Sequence, residues 1–374
     1  MTIINKIKAT LALTMIFLLV LSCDSDDDGP QTDNFDRTAM LANWADNIIV
    51  PAYQAYASSL ADLKTSSASF TNAPDQTTLT DLRGQWLVAY RAWQSVSMFE
   101  IGKAEALTLR NFTNIFPADA SEIDDSIISG SYNLTLPSTN DEQGFPALDY
   151  LINGLASTDA EILTKYTDVT NGQAYKTYLT DVINRMQSMT AEVLNDWTSN
   201  YRDEFVNNAG LTATSSVNKM INDYIFYFER SLRAGKVGIP AGVFSGAPLN
   251  TTVEAFYKED VSKLLLVDAL NAFQDFFNGK HFGSDTAGES LKSYLDFLNT
   301  IKEGDDLSTL INNQLNVART AINGLNDSFI EQISNDNIGF LAAYDELQKN
   351  VVLLKVDLLQ ALDVRVDFVD SDGD

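Results

Sequence analysis

The densest chemistry in the sequence lies between Asp141 and Asn153, which reads DEQGFPALDYLIN. Asp141 and Glu142 lead into Gly144. Phe145 and Pro146 follow, and then an apolar helix start that carries Asp149. Proline suits the first turn of a helix, where its missing N–H would have no partner anyway. That places Asp149 within the first turn or so, where the helix dipole favours a negative charge. Such a carboxylate has two uses. It can hold backbone N–H groups and close the preceding loop over the core, which is the commoner one. It can also bind a hard cation, iron or calcium, together with oxygen ligands from elsewhere, for which Glu100 and Asp141 are candidates.

Residue supply narrows the enzyme classes. His281 is the single histidine, so a His-Glu-x-x-His zinc helix cannot be built. A Ser-His-Asp triad would have to use His281, and there is no Gly-x-Ser-x-Gly elbow. No phosphate-binding glycine loop follows a strand pattern. These absences lean against an enzyme. His281 lies in a glycine-flanked loop, with Asp275 and Asp285 nearby in sequence. An exposed loop histidine is the plainer reading, and a metal ligand is the alternative. The Gly235–Pro248 stretch, GKVGIPAGVFSGAP, reads as a connector. Its backbone N–H groups, beside Arg233 and Lys236, could also take an anion.

Gly144-Phe145-Pro146-Ala147-Leu148-Asp149 resembles the Gly-x-His-x-x-Glu motif of imelysin-like proteins. Pro146 stands where that motif has its histidine, and Asp149 where it has its glutamate. Glycine, Phe145 and the apolar frame remain, but the pair of metal ligands the family is proposed to use does not. Trp86, Tyr90 and Trp93, the Phe99–Gly102 turn, Asn114–Pro117 and Leu353–Asp357 are similar to further segments of the family. The resemblance thus covers roughly residues 35 to 370. It implies an all-α architecture of two packed helical bundles and a non-catalytic accessory role in iron or haem acquisition beside a TonB-dependent receptor. A metallopeptidase and a polysaccharide-binding lipoprotein are the alternatives. The first predicts a bound metal, and the second predicts a glycan on the Trp86–Trp93 aromatic stripe, which otherwise reads as core.

The elements that would position these residues are helices. Trp44, Ile48, Tyr56, Leu60 and Leu63 mark one from Phe35, with a kink or break expected at Pro51. Ser66 to Asp75 reads as a loop, and a second helix follows from Thr77 to Phe99. Arg110 to Thr139 is irregular apart from a short helix at Ala120 to Ile128, and long ordered loops are commonly functional. Further helices are expected over Ala174–Trp197, Ser215–Arg233, Asp260–Phe277, Gly288–Leu298 and Asp305–Leu325. The final helix of the chain carries the stripe Phe340 to Leu362. Glu229 and Arg233 form an i,i+4 pair on the flank of theirs. The bundles divide near residue 205, giving domains of 35–205 and 206–366.

The ends of the chain carry a different message. The 374 residues hold 25 basic and 51 acidic side chains, a net charge of −26. No basic stripe is available to replace counterions on a phosphate backbone, so nucleic acid is not the partner. Residues 1–22 have two lysines and then an apolar run too short to span a membrane, the pattern of a signal peptide. Val20-Leu21-Ser22-Cys23 resembles a bacterial lipobox, which implies lipidation of Cys23 and anchoring to the outer membrane. The acidic tether over 23–34 resembles the surface-export signals of Bacteroidetes lipoproteins and implies a cell-surface location. Cys23 is the single cysteine, so no disulfide supports the fold. The acidic tail, 367–374, opens like a calcium loop but stops before the closing glutamate.

Overall fold

Asp36 and Asp75 begin the two helices that lead the fold. Asp36 accepts from the Ala39 N–H at 2.9 Å. Asp75 and Thr78 cap each other reciprocally, so helix Gln76–Gln94 starts on a closed box. The computed structural model describes residues 33–366, and all structural statements concern these. Helix Arg37–Asn43 runs through a π-helical turn, Trp44–Ile49, into helix Val50–Asn72. Pro51 does not break this rod. It sits in the first turn after the π turn, where the Val50 N–H already reaches back to the Ala45 carbonyl, and a ring without an N–H is tolerated there. The rod also continues through most of the expected 66–75 loop.

Helix Val50–Asn72 packs between helix Gln76–Gln94 and helix Gly172–Asp196. The expected aromatic stripe faces inward: Trp86, Tyr90 and Trp93 are all buried. Residue 205, near which the bundles were expected to divide, lies inside helix Arg202–Asn207, and Ser215 caps helix Ser216–Phe226 after an eight-residue loop. That helix does not stop at Arg233. It continues as a π-helical segment, Tyr227–Gly238, and then Ile239–Ala241, so the first part of the expected Gly235–Pro248 loop is helical. Gly238 is needed there because an added Cβ would lie 2.7 Å from the Tyr344 ring.

Helix Ser262–Phe277 touches helix Gln76–Gln94, the Tyr227–Gly238 segment and helix Leu307–Asn323. It thereby links the earlier helices to the later ones. Helix Phe329–Val351 covers the Tyr227–Gly238 segment from the other side. A two-residue antiparallel hairpin, Ile301–Lys302 with Asp305–Asp306, is the one sheet among the described residues. The fold is all-α, and its apolar core is continuous from Phe35 to Val364. No described helix is long and apolar enough to cross a membrane.

Candidate functional site

Gly144 opens the motif with φ at +76°, and a Cβ there would lie 2.2 Å from the Thr113 carbonyl oxygen. Glycine is therefore required twice, by conformation and by space. Helix Gly144–Asp149 begins at Gly144, two residues before Pro146. Asp149 consequently ends the α-helical turn rather than starting it, and the helix dipole does not account for it. Every residue from Gly144 to Asp149 is buried. The Trp86 indole donates to the Phe145 carbonyl at 3.2 Å, and the Phe145 ring stacks on Tyr90 at 4.3 Å.

Asp149 holds a backbone N–H, but a distant one. Its Oδ2 accepts from the Tyr257 N–H at 2.8 Å, and its Oδ1 accepts from the Asn153 amide at 2.9 Å. Burial pushes its pKa up to about 7, against the pull of these donors and Lys258. The Tyr257 ring lies where a Cβ on Gly154 would be, at 2.3 Å, so the 253–260 segment is latched at two points.

Glu100 stands in another cluster. Its Oε2 lies 3.2 Å from the Arg110 guanidinium, and its Oε1 accepts from the Arg110 N–H at 3.0 Å. Arg110 also donates to Asp223 at 2.9 Å and to the Ser97 carbonyl at 2.8 Å. Burial raises the pKa of both Glu100 and Asp223, with Arg110 opposing it. Asp141 contributes its main-chain carbonyl, which accepts from the Asp119 N–H at 3.0 Å.

The metal site implied for the family does not fit these residues. Proline at 146 has no donor atom, and both oxygens of Asp149 are engaged by N–H donors. Among the described residues no three His, Cys, Asp or Glu side chains gather as a ligand set, so Glu100, Asp141 and Asp149 do not converge. His281 lines a second cavity of about 560 Å³, and its expected partners Asp275 and Asp285 face Lys280 at 3.8 and 3.3 Å. Cys23, the acidic tether and the acidic tail lie outside the described residues.

The larger cavity, about 900 Å³, has no motif residue in its lining and adjoins the motif through Asn114, whose neighbour Thr113 packs on Gly144. Helix Gln76–Gln94 supplies its floor with Trp93 and Gln94. The irregular 97–117 stretch supplies one wall, and one face of the 216–238 helical rod supplies the other. The long irregular region thus lines a cavity. Behind the wall is a polar network that sequence spacing did not reveal. Lys236 is ion-paired with Glu254 and donates to Gln94 at 3.0 Å. The Asn114 amide donates to Glu254 at 2.8 Å, and the Tyr90 hydroxyl donates to Asn114 at 2.5 Å. Lys236 and Glu254 are buried, and burial lowers the lysine pKa while Glu254 opposes the fall. Tyr90 thus joins the network to Phe145 of the motif.

Arg233 and Lys236, the expected anion-binding pair, are internal. Arg233 is buried, donates to the Tyr344 hydroxyl at 2.8 Å and lies 3.8 Å from Glu229. The Glu229–Arg233 pair is core rather than flank. Two basic residues in a glycine-rich stretch signalled charge, but their spacing could not show that the chain stays helical and turns them inward.

An all-helical fold with a cavity beside a buried Gly-x-x-x-x-acid turn defines the class, and comparison with known proteins defines the family. The family model for imelysin matches residues 49–354, and the chain belongs to that family. The fold is similar to that of a protein designated an iron-regulated protein A precursor, from Parabacteroides distasonis. The TM-score is 0.72 at 17% identity, covering 89% of this chain and 97% of the other. It is also similar to an imelysin-like protein from Psychrobacter arcticum, with a TM-score of 0.69 at 16% identity, covering 90% and 99%. Comparison with curated proteins gives no match.

Proposed function

We propose that this chain is a non-catalytic, lipid-anchored accessory in iron or haem acquisition that works at the cell surface beside a TonB-dependent receptor. The observation that carries the reading is the cavity of about 900 Å³ next to a motif whose ligand positions hold proline and a buried aspartate that accepts an N–H on each oxygen. That volume suits a small-molecule or cofactor-sized ligand. Metal-dependent hydrolysis would need donor atoms that Pro146 cannot supply. The iron-regulated designation of the Parabacteroides neighbour supports the physiological context. The lipobox-like Val20–Cys23 supports the anchor. Of the aromatic stripe, Trp86 and Tyr90 are buried away from the cavity and Trp93 alone lines it, so there is no open row of rings for a glycan to stack on.

The test is deletion of the gene in its source organism, followed by growth with haem or ferric iron as sole iron source. The expected result is slowed growth that is rescued by the full chain and not by Cys23→Ala. Unchanged growth on both sources, with the chain verifiably expressed in the parent, overturns the reading.

A further inference from the structure

The cavity beside the motif has an uneven charge pattern. Seven charged side chains line it, and four are basic: Arg110, Lys219, Arg230 and Lys236. The chain as a whole carries 25 basic against 51 acidic residues, so this is a local reversal. The two inner cations are answered from within the fold, Arg110 by Glu100 and Asp223, and Lys236 by Glu254. The other two are not. Lys219 is exposed and Arg230 half-buried, and among the described residues neither has a carboxylate partner. Glu105 is the remaining lining charge and is exposed.

Lys219, Phe226 and Arg230 stand seven and four residues apart, on one face of a continuous helix. The Phe226 ring lies between two guanidiniums, with the Arg110 and Arg230 carbons each 5.8 Å from its centroid. Around it, apolar surface predominates. Trp93, Phe116 and Tyr227 contribute rings, and Ser231 and Gly235 keep the helix face low between them. Such a wall offers a flat body an apolar and aromatic seat, with two cations that have no carboxylate partner among the described residues.

We propose that this cavity takes an organic polyanion with a flat, aromatic or apolar body, whose acidic groups are held by Arg230 and Lys219. The proposal rests on the reading of the cavity as a ligand site and adds the chemical class of the ligand. A tetrapyrrole dicarboxylate, flat and with its two carboxylates along one edge, has that chemistry; a ferric tris-catecholate, octahedral and with its oxygens on iron, shares the charge without the flat body. A guanidinium and an ammonium each strengthen a hydrogen bond to an acidic oxygen, and the half-buried position of Arg230 protects it from full screening.

Titration of the purified full chain with haemin, haemin dimethyl ester and a ferric tris-catecholate, read by absorbance and tryptophan fluorescence, tests this. The expected result is binding of haemin, weaker binding of the ester and of the non-planar tris-catecholate, and about tenfold or greater loss of haemin binding in the Lys219→Glu/Arg230→Glu double variant. Glu105→Lys is expected to tighten the same ligand a few-fold, and Ser231→Trp to abolish binding by filling the seat. Circular dichroism confirms folding of each variant. Should the double variant not fold, Lys219→Gln/Arg230→Gln decides by the same loss. The proposal is overturned if haemin does not bind, if the ester binds as tightly as haemin, or if binding survives either the double variant or Ser231→Trp. A growth defect on deletion together with failure of this titration would leave the iron reading standing and the ligand class wrong. Confirmed binding without a growth defect would do the reverse.

Discussion

Two stretches of this molecule carry charged residues in helical settings, and they behave oppositely. In Gly144–Asp149 the one charged group is buried and both its oxygens are used to hold other parts of the chain. Along the 216–238 rod the charges divide. Glu229, Arg233 and Lys236 turn inward and are paired, while Lys219 and Arg230 face the cavity without an internal carboxylate. Gly144–Asp149 has the sequence of a reactive motif and acts as a latch. The rod has the sequence of an ordinary amphipathic helix and supplies the wall on which a ligand can act. A buried carboxylate that already takes an N–H on each oxygen is held in place by the chain. A half-exposed cation beside an aromatic ring still has N–H donors to offer a ligand.

That contrast is broken most forcefully at Lys236. Removing its ammonium leaves Glu254 buried among Gln94 and Asn114 with no countercharge. Lys236→Ala is expected to cost about 3–5 kcal/mol, read from urea or thermal unfolding. Lys236→Met combined with Glu254→Leu should recover most of that loss, since it is the orphaned charge that is expensive. If the single variant is nearly as stable as the parent, the network is not closed as described. Next in size is Gly144→Ala. A methyl group at +76° meeting the Thr113 carbonyl is expected to cost about 3 kcal/mol, from the left-handed backbone and the forced shift together. An equal cost from Gly84→Ala, a glycine in helix Gln76–Gln94 with open space around it, would show that glycine as such and not this contact was measured.

The apolar helical stripes were legible from spacing alone, because burial of one face is a local pattern. Trp86, Tyr90 and Trp93 could be placed inside without any knowledge of their partners. The ends of elements were less legible where tertiary packing outweighs propensity. Gly235 and Gly238 argue for a loop by propensity, yet the helix passes through both, with the Tyr344 ring occupying the space a side chain would need at Gly238. Pro51 argues for a break, yet a π turn just before it removes the demand for its N–H. The site was the least legible part. Asp149 and Tyr257 are 108 residues apart, and Lys236 and Gln94 are 142 apart. Such pairs follow from how helices stack, and no local spacing encodes them. The motif does connect to the cavity network, since Phe145 stacks on Tyr90 and Tyr90 bonds Asn114.

Asp149 sharpens the comparison through pH. Its folded pKa, raised to about 7, lies above the ordinary aspartate value of 3.8. Between those values the folded protein keeps a proton that the unfolded chain has lost. The contribution of this group to stability is therefore fully present below about pH 4 and fades as pH rises through 7. At roughly 1.4 kcal/mol per pKa unit the upper bound is on the order of 4 kcal/mol, with the opposing N–H donors already contained in the shift. Thermal melts of the parent and Asp149→Asn across pH 4–8 check this. The parent should lose stability relative to the variant as pH rises. Parallel curves would mean that Asp149 titrates as a solvated aspartate and is no latch.

The smallest expected effect is the most discriminating. Lys219 is exposed, and among the described residues it holds nothing together. Lys219→Ala should therefore change unfolding stability by less than about 0.5 kcal/mol, the usual range for a surface substitution without partners. Arg230 makes one described contact, over the Phe226 ring, so Arg230→Ala should cost about 0.5–1 kcal/mol. These two residues line the same cavity as Lys236, whose removal is expected to cost several times more. A shared lining with such unequal structural cost separates the cations that build the wall from those presented on it. If Lys219→Ala and Arg230→Ala destabilise the fold as much as Lys236→Ala does, all three are framework, and the cavity has no cation left to offer a ligand.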